Sequence, residues 1–303
     1  MQIFNRAVVS VLPWVPKPMV WRVSRRYIAG EALADALGLV AALNAKGMSA
    51  TIDVLGEDVT DDRQALGARD SYLEALHGIH DQKLNCNISV KLSQMGLRFN
   101  PKLCADIARA LAQAAAERRN FFRIDMEDSS VTTQTLDIYR QLRGDFANTG
   151  TVIQAYMRRS AADVRALLAE KPPTNLRLCK GIYRESAEIA YQDREEIRAS
   201  YRELLELMLT GGIARVGIAT HDDVLVDAAL EQLTRLKISK DRYEFQMLLG
   251  VAESLRTRLV AAGHPLRVYI PYGKDWFAYS VRRLRENPQI AAHVMRNFFG
   301  RGA

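Results

Sequence analysis

From about residue 49 to the end of the chain one pattern repeats: a short run rich in β-branched and aromatic residues, then a longer stretch with helical periodicity. The strand-like runs are SATIDVLG (49–56), NCNISVKL (85–92), NFFRIDME (120–127), GTVIQAYM (150–157), NLRLCKGIY (175–183), ARVGIATH (214–221), YEFQML (243–248) and LRVYIPYG (266–273). Helices are expected near 62–83, 100–117, 131–143, 160–170, 186–210, 222–239, 250–263 and 274–286, with extra ones at 30–46 and 288–299. Short links between strand and helix imply parallel strands joined by helical crossovers. Eight such units close into a barrel, whereas an open doubly wound sheet usually has fewer strands. The expected fold is α/β, a single (βα)8 TIM barrel with extra N-terminal and C-terminal helices. Residues 1–48 form a lead-in and extra helix that pack on the barrel, and residues 49–303 form the barrel with its C-terminal helix. A length of 303 residues suits one such barrel, which typically runs to about 250.

Composition narrows the function classes. Cys86, Cys104 and Cys179 are far apart and form no CxxC pair, which argues against a disulfide framework or a zinc site and for a reducing compartment. The net charge of +7 would suit an anionic partner, but the basic residues are scattered among acids, so nucleic acid is not expected. No apolar run reaches the roughly 20 residues that span a bilayer. The first thirty residues lack Asp and Glu and carry the apolar stretch AVVSVLPWV, which Pro13 interrupts. A segment packed on the barrel is expected there rather than a secretory signal, and a membrane-surface contact through Trp14, Val15 and the basic side chains is the alternative.

A barrel of this kind places its active site at the C-terminal ends of its strands. Those ends carry Asp53, Lys91, Asp125 with Glu127, Gln154, Lys180 with Tyr183, Thr220 with His221, Gln246 and Tyr269. In AYSVRRLRENP (278–288), Tyr279, Arg282, Arg283 and Glu286 share one helix face, and that helix begins directly after the last strand. Two adjacent arginines can hold a carboxylate in planar, bidentate fashion. The plain structural reading is a solvated face with an ion pair worth about 0.2–0.5 kcal/mol. Lys91 ends an apolar strand, so it needs a partner: a substrate carboxylate, Asp125 on the next strand, or a carbonyl in a Schiff base, which would make an aldolase-type enzyme. His221 alone does not make a metal site, and Asp53, Asp125 and Glu127 show no metal-ligand spacing. Neither GxGxxG after a strand nor GxxxxGK[ST] occurs.

Seven strings in order, SVKLS, RIDMED, VIQAYMRR, LRLCKGIYRE, IATHDD, YEFQMLLG and VYIPYG followed by YSVRRLRE, resemble the flavin-dependent proline dehydrogenases. The likeness extends both to the monofunctional bacterial enzymes and to the corresponding domain of the bifunctional proline utilisation A proteins. It covers about residues 49 to 288. It implies a distorted barrel that binds FAD noncovalently and removes hydride from C5 of L-proline to flavin N5. The product would be Δ1-pyrroline-5-carboxylate and the electrons would pass to a membrane quinone, in the first step of proline catabolism. By position, the resemblance assigns Lys91, Arg282 and Arg283 to the proline carboxylate and Glu286 to orienting the arginines. Tyr183, Leu248, Tyr269 and Tyr279 would wall the ring, and Asp125 would link Lys91 to the site. Gln154 and Arg177 would reach the isoalloxazine. Lys180, Gly181, Thr220 and His221 would lie along the rest of the cofactor, with Asp125, Tyr183, Arg184 and Glu286 near it. Arg184 stands where the bifunctional proteins usually have Trp, and the retained Tyr279 favours proline over hydroxyproline. A separate pyrroline-5-carboxylate dehydrogenase would act downstream, and the protein would be cytoplasmic or peripheral at the inner face of the membrane.

Overall fold

The computed structural model describes residues 20–21, 24–56, 58–171, 173–277 and 279–280. Among the described residues, helix α1 (Leu33–Asn44) precedes seven strand–helix units and an eighth strand. These run β1 (Ser49–Val54), α2 (Asp62–Asp81), β2 (Cys86–Val90), α3 (Pro101–Glu117), β3 (Phe122–Ile124), α4 (Ser129–Asp145), β4 (Thr149–Gln154) and α5 (Ser160–Ala169). The second half runs β5 (Asn175–Cys179), α6 (Arg194–Thr210), β6 (Arg215–Ala219), α7 (Asp223–Arg235), β7 (Tyr243–Leu248), α8 (Glu253–Ala261) and β8 (Leu266–Tyr272). Each strand pairs in parallel with the next, and β1 pairs with both β2 and β8, so the sheet closes. The expected α/β barrel is therefore the fold. Of the helix expected at 274–286, residues 274–277 and 279–280 are described: Lys274 and Asp275 form a turn, and Trp276, Phe277, Tyr279 and Ser280 are helical. The one expected at 288–299 and the AVVSVLPWV segment lie outside the described residues.

Local chemistry starts the helices. Asp61, Asn100, Asp128 and Asp193 cap α2, α3, α4 and α6 by accepting backbone N–H bonds, and Pro101 opens α3. On α3, Cys104, Ile107, Ala108, Leu111 and Ala115 follow helical spacing and are buried. The strands alternate. Ile52, Ile88, Ile124, Leu178, Ile218, Phe245 and Val268 are fully buried in the apolar core. Their neighbours include polar residues such as Thr51, Asn87, Arg123 and Glu244, and the Thr51 hydroxyl donates to Asn87 Oδ1 at 2.7 Å. The barrel's interior is thus charged and hydrogen-bonded, while its apolar core lies between strands and helices.

Three expected boundaries move. The helix expected at 186–210 starts at Arg194, because Asp193 caps it there, accepting from Glu195 and Glu196 N–H at 2.8 and 3.1 Å, and a Met157–Ala190 bridge holds the preceding loop. The helix expected at 250–263 starts at Glu253, since Gly250 (φ +72°) and Ala252 (φ +48°) are left-handed. The helix expected at 222–239 ends at Arg235, and Lys237 (φ +53°) turns the chain away. The strands also end earlier than the apolar runs suggest, leaving Lys91, Asp125, Lys180 and Thr220 just past the ladder, at the barrel's C-terminal mouth.

Candidate active site

A cavity of about 700 Å³ opens at this mouth and draws lining residues from all eight strand ends. Lys91, Asp125, Gln154, Arg177, Lys180, Gly181, Tyr183, Thr220, His221, Leu248, Tyr269 and Tyr279 all line it, so most of the residues singled out from sequence share one space. Arg184 is exposed and is not among the lining residues. Arg282, Arg283 and Glu286 lie outside the described residues.

On one side Lys91 Nζ meets both oxygens of Asp53, at 2.9 and 3.0 Å. Sequence proximity suggested Asp125 as the ion-pair partner of Lys91, and the structure corrects this. Parallel pairing puts β1 beside β2, so Asp53 and Lys91, each at a strand end, meet across that seam. Asp53 is fully buried. Burial pushes its carboxyl above the usual range, and the Lys91 charge pulls it back only in part. The Tyr72 hydroxyl lies 3.2 Å from Asp53 Oδ1 and 2.9 Å from the Ser89 carbonyl, and it accepts the Val54 N–H at 3.1 Å. This ion pair accounts for a buried lysine at the strand end without a Schiff base.

Asp125 instead centres a second network. Arg177 Nη1 donates to its Oδ1 at 2.7 Å, Ser89 Oγ donates to the same oxygen at 2.5 Å, and the Tyr269 hydroxyl donates to Oδ2 at 2.7 Å. Burial alone would raise this carboxyl, but Arg177 and Lys91, with the Ser89 and Tyr269 hydrogen bonds, hold it below the usual range. Burial and the Asp125 charge push the Tyr269 phenol well above 10, so it stays a donor. Arg177 also donates from Nε to Gln246 Oε1, and its guanidinium carbon lies 5.3 Å from the Tyr269 ring centroid. Arg177 Nη2 makes no hydrogen bond among the described residues, which leaves a donor on a buried cation for whatever the cavity holds.

The β5 and β6 ends form the third part. Lys180 Nζ lies 3.1 Å from Asp222 Oδ2, and Arg198 reaches the same carboxylate at 3.0 and 2.8 Å. Burial opposes ionisation of Asp222, but Arg198 and Lys180 hold its carboxyl down at about 2. Arg194 is 3.7 Å from it, so several cations crowd one carboxylate beside the cavity. Asp222 and Arg194 line the cavity too and escaped the sequence reading, although IATHDD places Asp222 directly after His221. His221 Nε2 accepts the Leu248 N–H at 2.8 Å, which ties the β6 end to β7 and puts the ring's proton on Nδ1 when neutral. Gly181 is at φ +103°, and a Cβ there would sit 2.1 Å from the Tyr156 ring, so only glycine lets the chain pass so close. Gln154 is held by donating from Nε2 to the Glu127 carbonyl at 2.7 Å.

This arrangement offers apolar and aromatic walls from Val152, Met247, Leu248 and Tyr269, a cationic side at Lys180 and Arg194, and a buried guanidinium between them. It suits a flat aromatic group carrying an anionic tail, with a small carboxylate ligand near Lys91. Among the described residues no group of three or more His, Cys, Asp or Glu is placed to hold a metal ion, and no helix is long and apolar enough to cross a membrane.

Comparison with known proteins follows the same lines. The family model described as proline dehydrogenase matches residues 36–296. Proline dehydrogenase 1 of Bacillus subtilis (strain 168) is 38% identical over 273 residues, covering 90% of this chain and 89% of that protein. The proline dehydrogenase of Deinococcus radiodurans is 34% identical over 305 residues, 97% of each. Among solved structures, proline utilization A from Bdellovibrio bacteriovorus, inactivated by N-propargylglycine, superposes with a TM-score of 0.86 at 26% identity. That match covers 99% of this chain but 38% of the larger protein.

Proposed function

The chain belongs to the proline dehydrogenase family of oxidoreductases, and from that premise we propose that it oxidises L-proline to Δ1-pyrroline-5-carboxylate with FAD bound in the barrel mouth. The observation that carries this reading is the cavity itself, which joins Lys91, an aromatic and apolar wall, and the Asp125-anchored Arg177 in one space. FAD, when bound, would supply the acceptor for the hydride that leaves proline C5. Arg177, Gln154 and Lys180 fit the cofactor: a buried guanidinium with a spare donor, an amide fixed by Glu127, and a cation beside Thr220. A positive group near the flavin favours charge arriving there, and Arg177 is held for that purpose by Asp125 and Gln246. Gly181, Thr220 and His221 lie along the phosphate-bearing portion in this reading.

The substrate's carboxylate is held by Lys91 with Arg282 and Arg283, which Glu286 orients. Tyr183, Leu248, Tyr269 and Tyr279 wall the ring and aim C5. Tyr279 is buried against the cavity, and its bulk favours proline over hydroxyproline. Electrons would leave to a membrane quinone, and a separate dehydrogenase would consume the opened aldehyde product.

The purified protein is expected to be yellow, and anaerobic L-proline is expected to bleach its flavin band. A colourless protein that takes up no added FAD refutes the proposal. Arg282→Ala and Arg283→Ala are each expected to raise KM for proline about 10- to 150-fold, the equivalent of roughly 1.5–3 kcal/mol for one charge-assisted contact. Normal KM in both variants refutes the carboxylate clamp.

A further inference from the structure

Beneath the active-site cavity, toward the N-terminal ends of the strands, the barrel encloses a second space of about 150 Å³. Its charged lining is Arg123, Arg177, Arg215, Arg267 and Glu244. Two carboxylates answer these four guanidiniums. Asp125 takes Arg177 at 2.7 Å. Glu244 takes both Arg267, at 2.6 Å, and Arg215, at 3.2 Å. Arg123 has no carboxylate within 4.0 Å among the described residues, although it is only 3% exposed. A guanidinium does not give up its proton to escape burial, so its charge must be met from elsewhere.

The neutral groups around Arg123 meet it only in part. Nη1 donates to the Thr151 and Asn175 carbonyls at 2.8 and 3.0 Å, and Nη2 donates to Asn175 Oδ1 at 2.7 Å. Among the described residues Nε has no hydrogen-bond partner, and neither has Arg215 Nε. The Phe121 ring, 4.8 Å from the guanidinium carbon, offers an aromatic face but no charge. Burial first, and then the nearby Arg177 charge, push Arg123 down to about 9, and the more distant Glu244 and Asp125 charges offset this only in part.

We propose that this chamber is a binding site for a small monovalent anion of the chloride class, held between Arg123 and Arg215. The size fits one such ion with some water, and an anion, unlike water, would bring a counter-charge within contact of Arg123. Arg215, with 36% of its side chain exposed, marks the way in from the N-terminal face. The site also has a place in the enzyme's electrostatics. Arg177 and Gln246 line both this chamber and the upper cavity, and Gln246 joins Glu244 to Arg177, donating from Nε2 to Glu244 Oε1 at 2.6 Å. The anion would set how much positive charge lies under the active site.

The test uses the purified full chain. Melting is followed at constant ionic strength while gluconate, a bulky hydroxylated carboxylate, is replaced by chloride or bromide. The expected result is a rise of about 2–5 °C that saturates, and Arg123→Met is expected to abolish the rise. A protein whose melting ignores the exchange, or an Arg123→Met variant that keeps the full rise, overturns the proposal. Should Arg123→Met fail to fold, crystals grown in bromide decide. An anomalous peak between Arg123 and Arg215 supports the site, and a chamber without one overturns it.

Discussion

Replacing Asp125 by Asn changes one atom and removes one charge, and its consequence can be worked from the structure. Oδ1 accepts from Arg177 Nη1 at 2.7 Å and Ser89 Oγ at 2.5 Å, and Oδ2 accepts from the Tyr269 hydroxyl at 2.7 Å. All three partners are donors. Asn supplies one oxygen, which would stay with Arg177 and Ser89, while its amide nitrogen faces a Tyr269 hydroxyl that must turn to accept. Hydrogen bonds to a charged group contribute about 1.5–3 kcal/mol each and neutral ones about 0.5–1.5. The change therefore costs about 3 kcal/mol over three bonds, at the lower edge of the roughly 3–5 kcal/mol for breaking a buried ion pair outright. An unfolding entropy of about 2.1 cal/mol/K per residue gives roughly 0.6 kcal/mol/K for a chain of this length, so Tm should fall by about 5 °C at pH 7. The pH dependence supplies a second check. Asp125 titrates below its ordinary value of 3.8 in the folded protein, so its contribution is fully present above that value. It is lost as the pH falls through the lower folded value. Calorimetry of wild type and Asp125→Asn from pH 7 downward should show the gap closing in acid. A variant melting within about 1 °C of wild type at pH 7 would show that Arg177 is not held by this charge.

Two more perturbations probe neighbouring parts. Glu244 is held at about 2, since burial, which would raise it, is outweighed by Arg267 and Arg215. Its stabilisation is present above the ordinary 4.5 and disappears as pH falls toward 2, so Glu244→Gln should lower Tm at pH 7 by several degrees and flatten the acid limb of the Tm–pH curve; an unchanged limb would contradict the pairing. Gly181→Ala must place a Cβ against the Tyr156 ring at a left-handed backbone, so it should destabilise the chain by about 1–3 kcal/mol and weaken flavin retention on gel filtration. Retention and Tm equal to wild type would remove Gly181 from the site.

Much of the site was legible because polar residues at strand ends are conspicuous against apolar runs. NISVKL, RIDMED and YEFQML each break an alternating pattern with a group that apolar surroundings would not tolerate unpaired. The same alternation carried a signal that the strand-end reading passed over. Arg123, Glu244 and Arg267 occupy inner positions lower in the strands, and they make the barrel floor charged as well as its mouth. Asp222 and Arg194 were hidden for a different reason. They lie where a loop meets the start of a helix, and capping or surface charge explains such residues equally well from sequence.

By itself the sequence determined the eight strand–helix units, the closed barrel they imply, and which residues would be polar at its mouth, because these follow from local periodicity and side-chain chemistry. Partnership was decided by the tertiary structure. Lys91 meets Asp53 because parallel pairing sets β1 beside β2. Tyr269 reaches Asp125, 144 residues away, because closure brings β8 round to face β3 across the interior. Among the described residues Arg123 has no carboxylate within 4.0 Å, because the register gives Glu244 to Arg267 and Arg215. Charge type is written in the chain, but which charges neutralise one another depends on distances that exist only once the barrel has closed.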